Sequence, residues 1–266
     1  MDRTDVVLLV NSTPKYYYIL PFFFAMLRRY APTLKWKVVL ATEVPNDSIC
    51  VRVKKDYDVE LLEIPQESAG FLESRLAALK LLAPHYNYCL PLQDDFILEM
   101  PMDAAAFENI FNIFANNPTI MSARLMPCPS PKTPDISEFP GWKYITTHDE
   151  YKFVFQATLW RTDACLKWYE RICALLEKLA PKATTSPSER IFKEIRHNIA
   201  ENSLGQAEFW EWSSQMAYRH IGWIRAAPDR PNAVYISPFP YRPTAIVRGH
   251  LEDWAIELAK RERLPL

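Results

Sequence analysis

The chain of 266 residues is 49% hydrophobic and 24% charged, a globular composition that excludes disordered, fibrous and collagen-like proteins. Lys and Arg number 31 against 32 for Asp and Glu, so no overall field draws it to nucleic acid or an anionic membrane, and any basic site has to be local. The five glycines, Gly70, Gly141, Gly205, Gly222 and Gly249, lie too far apart for a Walker loop or a dinucleotide turn, so bound phosphates would be held by side chains and metal.

Asp5 to Val10 (DVVLLV) reads as a buried parallel strand stopped by Asn11-Ser12-Thr13-Pro14. A helix is predicted from Tyr16 to Tyr30, strands over Trp36 to Thr42 and Val59 to Ile64, a helix over Ser68 to Ala83, and a strand from Tyr86 to Leu98. Phe107, Ile110, Phe111 and Phe114 recur at helical spacing within Met102 to Asn116, and Ile120 to Leu125 gives a further strand. This alternation of strand and helix predicts an α/β fold of Rossmann type, a mostly parallel central sheet flanked by helices. Pro127 to Pro140 holds five prolines and is expected to be an extended surface loop. Beyond it come a strand over Lys152 to Leu159, a helix over Asp163 to Leu179 and a linker over Pro181 to Pro187. Helices over Ser188 to Asn202 and Gln206 to Arg219, short apolar pieces including Ala233 to Ile236, and a terminal helix from Leu251 to Arg261 complete the reading.

Cys50, Cys89, Cys128, Cys165 and Cys173 form no C-x-x-C pair, which predicts reduced, mostly buried thiols. The apolar run Tyr16 to Leu27 contains Pro21 and is shorter than the roughly 20 residues of a membrane span. Asp2 and Asp5 precede it and Arg28 and Arg29 follow it, unlike a signal peptide. A cytoplasmic protein is expected.

The sharpest chemical feature is Asp94-Asp95, adjacent carboxylates near the end of an apolar strand. In open α/β sheets ligands collect at the carboxyl ends of the strands, and carboxylates there can hold a divalent cation that also meets substrate phosphates. The alternative is that the pair caps the turn toward Met100-Pro101. Pro91 argues against a regular central strand at this point.

Tyr88 to Asp103 (YCLPLQDDFILEMPMD), with FLESRLAAL before it at Phe71 to Leu79 and Ser122-Ala123-Arg124-Leu125 after it, resembles the GT-A class of nucleotide-sugar glycosyltransferases. Their hallmark is a D-x-D motif, often degenerate; here the triplet is Gln93-Asp94-Asp95, with Gln at the first acidic position. The resemblance spans residues 5 to 126 best. It implies one domain over 1–266, with a donor-binding half (1–126) and an acceptor-side, catalytic half (127–266). It further implies Mn²⁺ or Mg²⁺ on Asp95, with His250 completing the metal site as a C-terminal histidine does in many such enzymes. Asp94, Gln93 and Arg75 would serve the donor, a UDP-, GDP- or dTDP-sugar. Asn11, Ser12, Thr13, Thr42 and Glu43 leave the first two strands and would read base and ribose, or else act as turn and cap residues. Arg75 could instead be a solvated arginine beside Glu73.

Arg219, Arg225, Arg230, Arg242 and Arg248 face a single acid, Asp229, between Arg219 and His250, and could neutralise a diphosphate or form a solvated face. Arg248 is the member assigned to the donor. Inverting transfer needs a general base, and Glu208, in a first helical turn among Phe209, Trp210 and Trp212, fits that position; Glu211 is the reserve, with Asp149 and Asp163 further off. Glu208 could equally be an ordinary acid favoured by the helix dipole. Gln156 and Trp160 would contact the glycan acceptor, although strand packing accounts for Trp160 more simply. The sequence thus predicts a metal-dependent, inverting glycosyltransferase. The rivals are a nucleotidyltransferase, for which the glycine-free Asn11 to Lys15 is unfavourable, and a non-catalytic carbohydrate-binding protein.

Overall fold

The computed structural model describes residues 2–68, 70–126, 133–145, 155–179, 233–235, 240–242, 244–247 and 249–266. Strand β1 (Val6–Asn11) is the axis of the fold. Val6 through Val10 are each 0% exposed, because the strand is covered on both faces, as a continuous β-branched and leucine run requires. Its side chains alternate between two cores. Val6, Leu8 and Val10 enter a core with α1 (Leu20–Tyr30), α4 (Ala104–Asn116) and the terminal helix α6 (Asp253–Glu262). Val7 and Leu9 enter the opposite core with α3 (Glu73–Leu82) and α5 (Thr162–Leu179). The result is three layers, helix on sheet on helix.

Around β1, strands β2 (Lys37–Thr42), β3 (Glu60–Glu63) and β4 (Tyr88–Gln93) pair in parallel, and the nine-stranded sheet runs in the order β3-β2-β1-β4-β9-β6-β10-β8-β7. Strand β9 (Thr158–Arg161) lies antiparallel between β4 and β6 (Ser122–Arg124). Strand β10 (Ala233–Tyr235) is parallel to β6 and antiparallel to β8 (Phe139–Ile145), which pairs with β7 (Asp135–Ile136). The fold is therefore α/β with a mostly parallel central sheet, as the sequence predicts.

Several local expectations change. The predicted helix from Tyr16 divides into a 3-10 helix, Pro14–Ile19, and α1, because Pro21 has no N–H to offer and is accommodated in the first turn of a new helix. An unpredicted helix, α2 (Ser48–Tyr57), follows β2; Asp47 caps it by accepting from the Ile49 N–H at 2.8 Å. The predicted strand Tyr86 to Leu98 breaks at Asp94-Asp95, and its second part, β5 (Ile97–Leu98), leaves the sheet to pair with β11 (Tyr241–Arg242). Residues 133–140, expected in an extended loop, instead form the β7–β8 hairpin, with Gly141 at φ +84 and its N–H bonded to Asp135 at 3.0 Å. The predicted helices Ser188 to Asn202 and Gln206 to Arg219 lie outside the described residues. No helix of the described residues is long and apolar enough to cross a membrane.

Candidate active site

The sheet order reverses between β1 and β4, and at such a switch point the loops leaving neighbouring strands diverge and open a crevice at their carboxyl ends. Here β1 ends at Asn11, which is in register with Gln93 at the end of β4. Phe96 N–H donates to Gln93 O at 3.2 Å, closing a turn whose central residues are Asp94 and Asp95. The turn reading thus holds for their backbone. It does not explain why each side chain is only 8% exposed.

Ser12 Oγ donates to Asp94 Oδ2. The main-chain oxygen of Asp95 accepts from Ala245 N–H at 3.1 Å and its carboxylate from Ile246 N–H, while Asp95 Oδ1 is buried with no partner among the described residues. Burial pushes both carboxyls above the usual carboxylate range; repulsion by Asp95 adds to this at Asp94, opposed by the Ser12 hydrogen bond and the charge of Arg75. A buried pair of acids with an orphaned oxygen suits a divalent cation, which would restore both to full ionisation.

Arg75 is buried rather than solvated. Its Nη1 donates to Phe71 O at 2.5 Å, its guanidinium lies 3.9 Å from the Phe71 ring centre, and burial lowers its proton affinity. The crevice between Arg75 and the sheet arises from Pro91. Pairing of β4 with β9 stops at Cys89, two residues before the proline that brings no N–H donor, and the gap is lined by Pro91, Gln93, Gln156, Trp160 and Tyr169. It is narrow, with room for roughly one water at its centre.

Of the residues leaving the first two strands, Asn11 lies on the face of β1 shared by Val7 and Leu9. Both polar atoms of its amide are buried without a partner among the described residues. Glu43 is half-buried, its Oε2 also lacks a partner among the described residues, and burial raises its pKa. Thr42, expected to meet the donor, is instead wholly buried, its hydroxyl engaged by Tyr17 Oη and, at 3.3 Å, by Val44 N–H. It fixes the 3-10 helix to β2. Thr13 is exposed at the start of that helix and accepts from Tyr16 N–H at 2.9 Å, a turn role.

Gln156 Oε1 accepts from Tyr241 Oη at 2.9 Å, and Tyr241 Oη accepts from Ala157 N–H at the same distance. Trp160 is 6% exposed and held in strand packing, with an edge on the crevice. Arg242 forms an ion pair with Glu99 at 3.2 Å and covers the Trp254 ring, so it anchors the C-terminal segment rather than forming a free basic patch. Asp163 is exposed and pairs with Lys167 at 3.5 Å. His250 is exposed on β13 (His250–Leu251), which forms a hairpin with β12 (Ile246–Val247), the strand bonded to Asp95. Among the described residues no group of three or more His, Cys, Asp or Glu is arranged to hold a metal. Glu208, Glu211, Asp149 and Arg248 lie outside the described residues.

Tyr17 and Tyr18 escaped the sequence reading, absorbed into one predicted helix. Burial raises the Tyr17 phenol to about 12; at Tyr18, 38% exposed, partial burial raises the pKa first, and the charges of Tyr16, Asp94 and Asp95 add to it. The only signal was the run Tyr16-Tyr17-Tyr18 directly after a strand-ending breaker.

No protein-family model matches the chain, and no curated protein matches it by sequence. Among solved structures, S. aureus TarS in complex with UDP-GlcNAc is similar at 11% identity and TM-score 0.46, covering 89% of this chain and 57% of that one. A cytidylyltransferase from Leptospira borgpetersenii is similar at 12% identity and TM-score 0.47, covering 98% and 96%. The glycosyltransferase GlyE of Streptococcus pneumoniae is similar at 12% identity and TM-score 0.43, covering 97% and 63%. The chain thus spans less than two thirds of the length of the TarS and GlyE chains.

Proposed function

We propose that the protein is a metal-dependent glycosyltransferase, moving a sugar from a nucleoside diphosphate to a glycan hydroxyl with inversion. The observation that supports this reading is the buried Asp94-Asp95 pair at the switch point, with one carboxylate oxygen left without a partner among the described residues. Asp95, with Asp94 beside it and His250 on the hairpin bonded to Asp95, would hold Mn²⁺ or Mg²⁺, which when bound takes up charge on the departing diphosphate. Ser12 orients the Asp94 carboxylate. The Asn11 amide, with a donor and an acceptor both unused, would take the edge of the base or a ribose hydroxyl, and Gln93 and Arg75 would line the donor side of the crevice. Gln156, its Oε1 held by Tyr241, would offer its amide N–H groups to the acceptor. Glu208 would take the proton of the attacking hydroxyl, and Arg248 would face the diphosphate. The free, buried thiols of Cys50, Cys89, Cys165 and Cys173 suit a reducing compartment.

The test is to incubate the protein with Mn²⁺ and UDP-, GDP- or dTDP-sugars and to follow release of the nucleoside diphosphate. Metal-dependent release that D95N abolishes supports the reading. Pyrophosphate formation from a nucleoside triphosphate and a sugar phosphate, with no release from any nucleotide sugar, would replace it with a nucleotidyltransferase.

A further inference from the structure

We infer that Lys15 is a diphosphate-binding cation at the mouth of the site, acting beside the metal and independently of it; this rests on the glycosyltransferase reading. Lys15 is the second residue of the 3-10 helix Pro14–Ile19, which β1 projects over the switch point. Tyr17, bonded to Thr42, locks that helix in place. Two contacts place Lys15 on the segments that border the acids: Ser12, three residues before it, bonds Asp94, and the Lys15 side chain reaches the hairpin bonded to Asp95. Gly249 has φ +84, and a Cβ added there would lie 3.6 Å from Lys15 Nζ, so the side chain crosses the turn of the β12–β13 hairpin. That hairpin is tied to Asp95 through Ile246 N–H.

Lys15 itself is exposed, and its Nζ lies 5.1 Å from the centre of the Tyr16 ring. An exposed ammonium on a segment that borders the buried acids is positioned to meet an anion that enters with a cation on those acids. A diphosphate is such an anion. Arg75 is a poor substitute, because its guanidinium is buried against Phe71 on the inner side of the crevice.

The experiment is titration calorimetry of UDP, GDP, CDP and dTDP, each with Mn²⁺, and of the matching free nucleosides, into wild type, K15Q and K15R. For the tightest diphosphate, K15Q is expected to weaken binding about tenfold, as loss of a charge-assisted hydrogen bond does, and the gap should shrink in high salt. K15R is expected to stay within about threefold of wild type, because it keeps the charge. Nucleoside binding and melting temperature should not change. Equal diphosphate binding by K15Q and wild type overturns the inference and leaves the glycosyltransferase reading standing, as does equal weakening of nucleoside and diphosphate. No binding of any diphosphate by the wild type overturns both.

Discussion

Ser12 and Asp94, 82 positions apart in sequence, meet in a buried hydrogen bond that joins the ends of two adjacent parallel strands across the switch point of the sheet. Replacing the hydroxyl should leave a buried carboxylate without this donor. The expected result for S12A is a loss of about 1–3 kcal/mol of stability at pH 8, read by denaturant unfolding, and weaker Mn²⁺ binding.

The apo protein should become more stable as pH falls from 8 toward the ordinary carboxylate range near 4. Asp94 and Asp95 have raised pKa values in the fold, so between their unfolded and folded values the native state binds more protons, and lowering the pH favours it. Thermal melts across this range should show the rise. D94N, which removes one buried charge, should melt higher than wild type at pH 8 and show a flatter profile.

Glu262 has the opposite sign. Hydrogen bonds from Tyr30 at 2.8 Å, from Arg29 and from Arg261 at 2.9 Å bring its pKa down to about 2. Its contribution is full above the ordinary glutamate value and is lost as pH falls through about 2. E262Q should therefore lower the melting temperature at neutral pH and lose that deficit in strong acid. Hydrogen exchange in α6 should speed up, since these contacts fasten it to α1.

Tyr241 ties the end of β5's partner strand to the crevice through Gln156 and Ala157. Y241F should cost about 1–3 kcal/mol, because the Ala157 N–H loses its acceptor in a buried setting. Under the proposed function it should raise KM for the acceptor more than for the donor, since Gln156 would turn more freely.

The fold was legible where one kind of signal dominated. The run Val6 to Val10 could only be a strand covered on both faces, and Phe107 to Phe114 could only be one face of a helix. α2 was missed because its sequence, SICVRVKKDY, buries only Cys50 and Val53, leaving too few apolar positions to mark a period. Its start was nevertheless signalled by Asp47-Ser48, a capping pair. Pro91 was read against a central strand, yet β4 is central. Its neighbour β9 departs before the proline, so the residue that weakens the strand also opens the crevice.

That Asp94, Asp95, Ser12, Asn11 and Gln93 gather at one place was legible, because all lie at the carboxyl ends of adjacent parallel strands. Thr42 was misjudged, since nothing local reveals that Tyr17 bonds its hydroxyl. The burial of Arg75 was equally hidden, because it depends on Phe71 and on the packing of α3 against α5.

Under the proposed function, Asp94 and Asp95 form a cation-dependent site for a nucleoside diphosphate. Its most direct test is a thermal-shift panel of UDP, GDP, CDP and dTDP, each with and without Mn²⁺ or Mg²⁺, on wild type and D95N, since a ligand that binds only the native state raises its melting temperature. A shift is expected with at least one diphosphate, one that needs the metal and disappears in D95N. No shift with any diphosphate, or one that is indifferent to metal and to D95N, would contradict it.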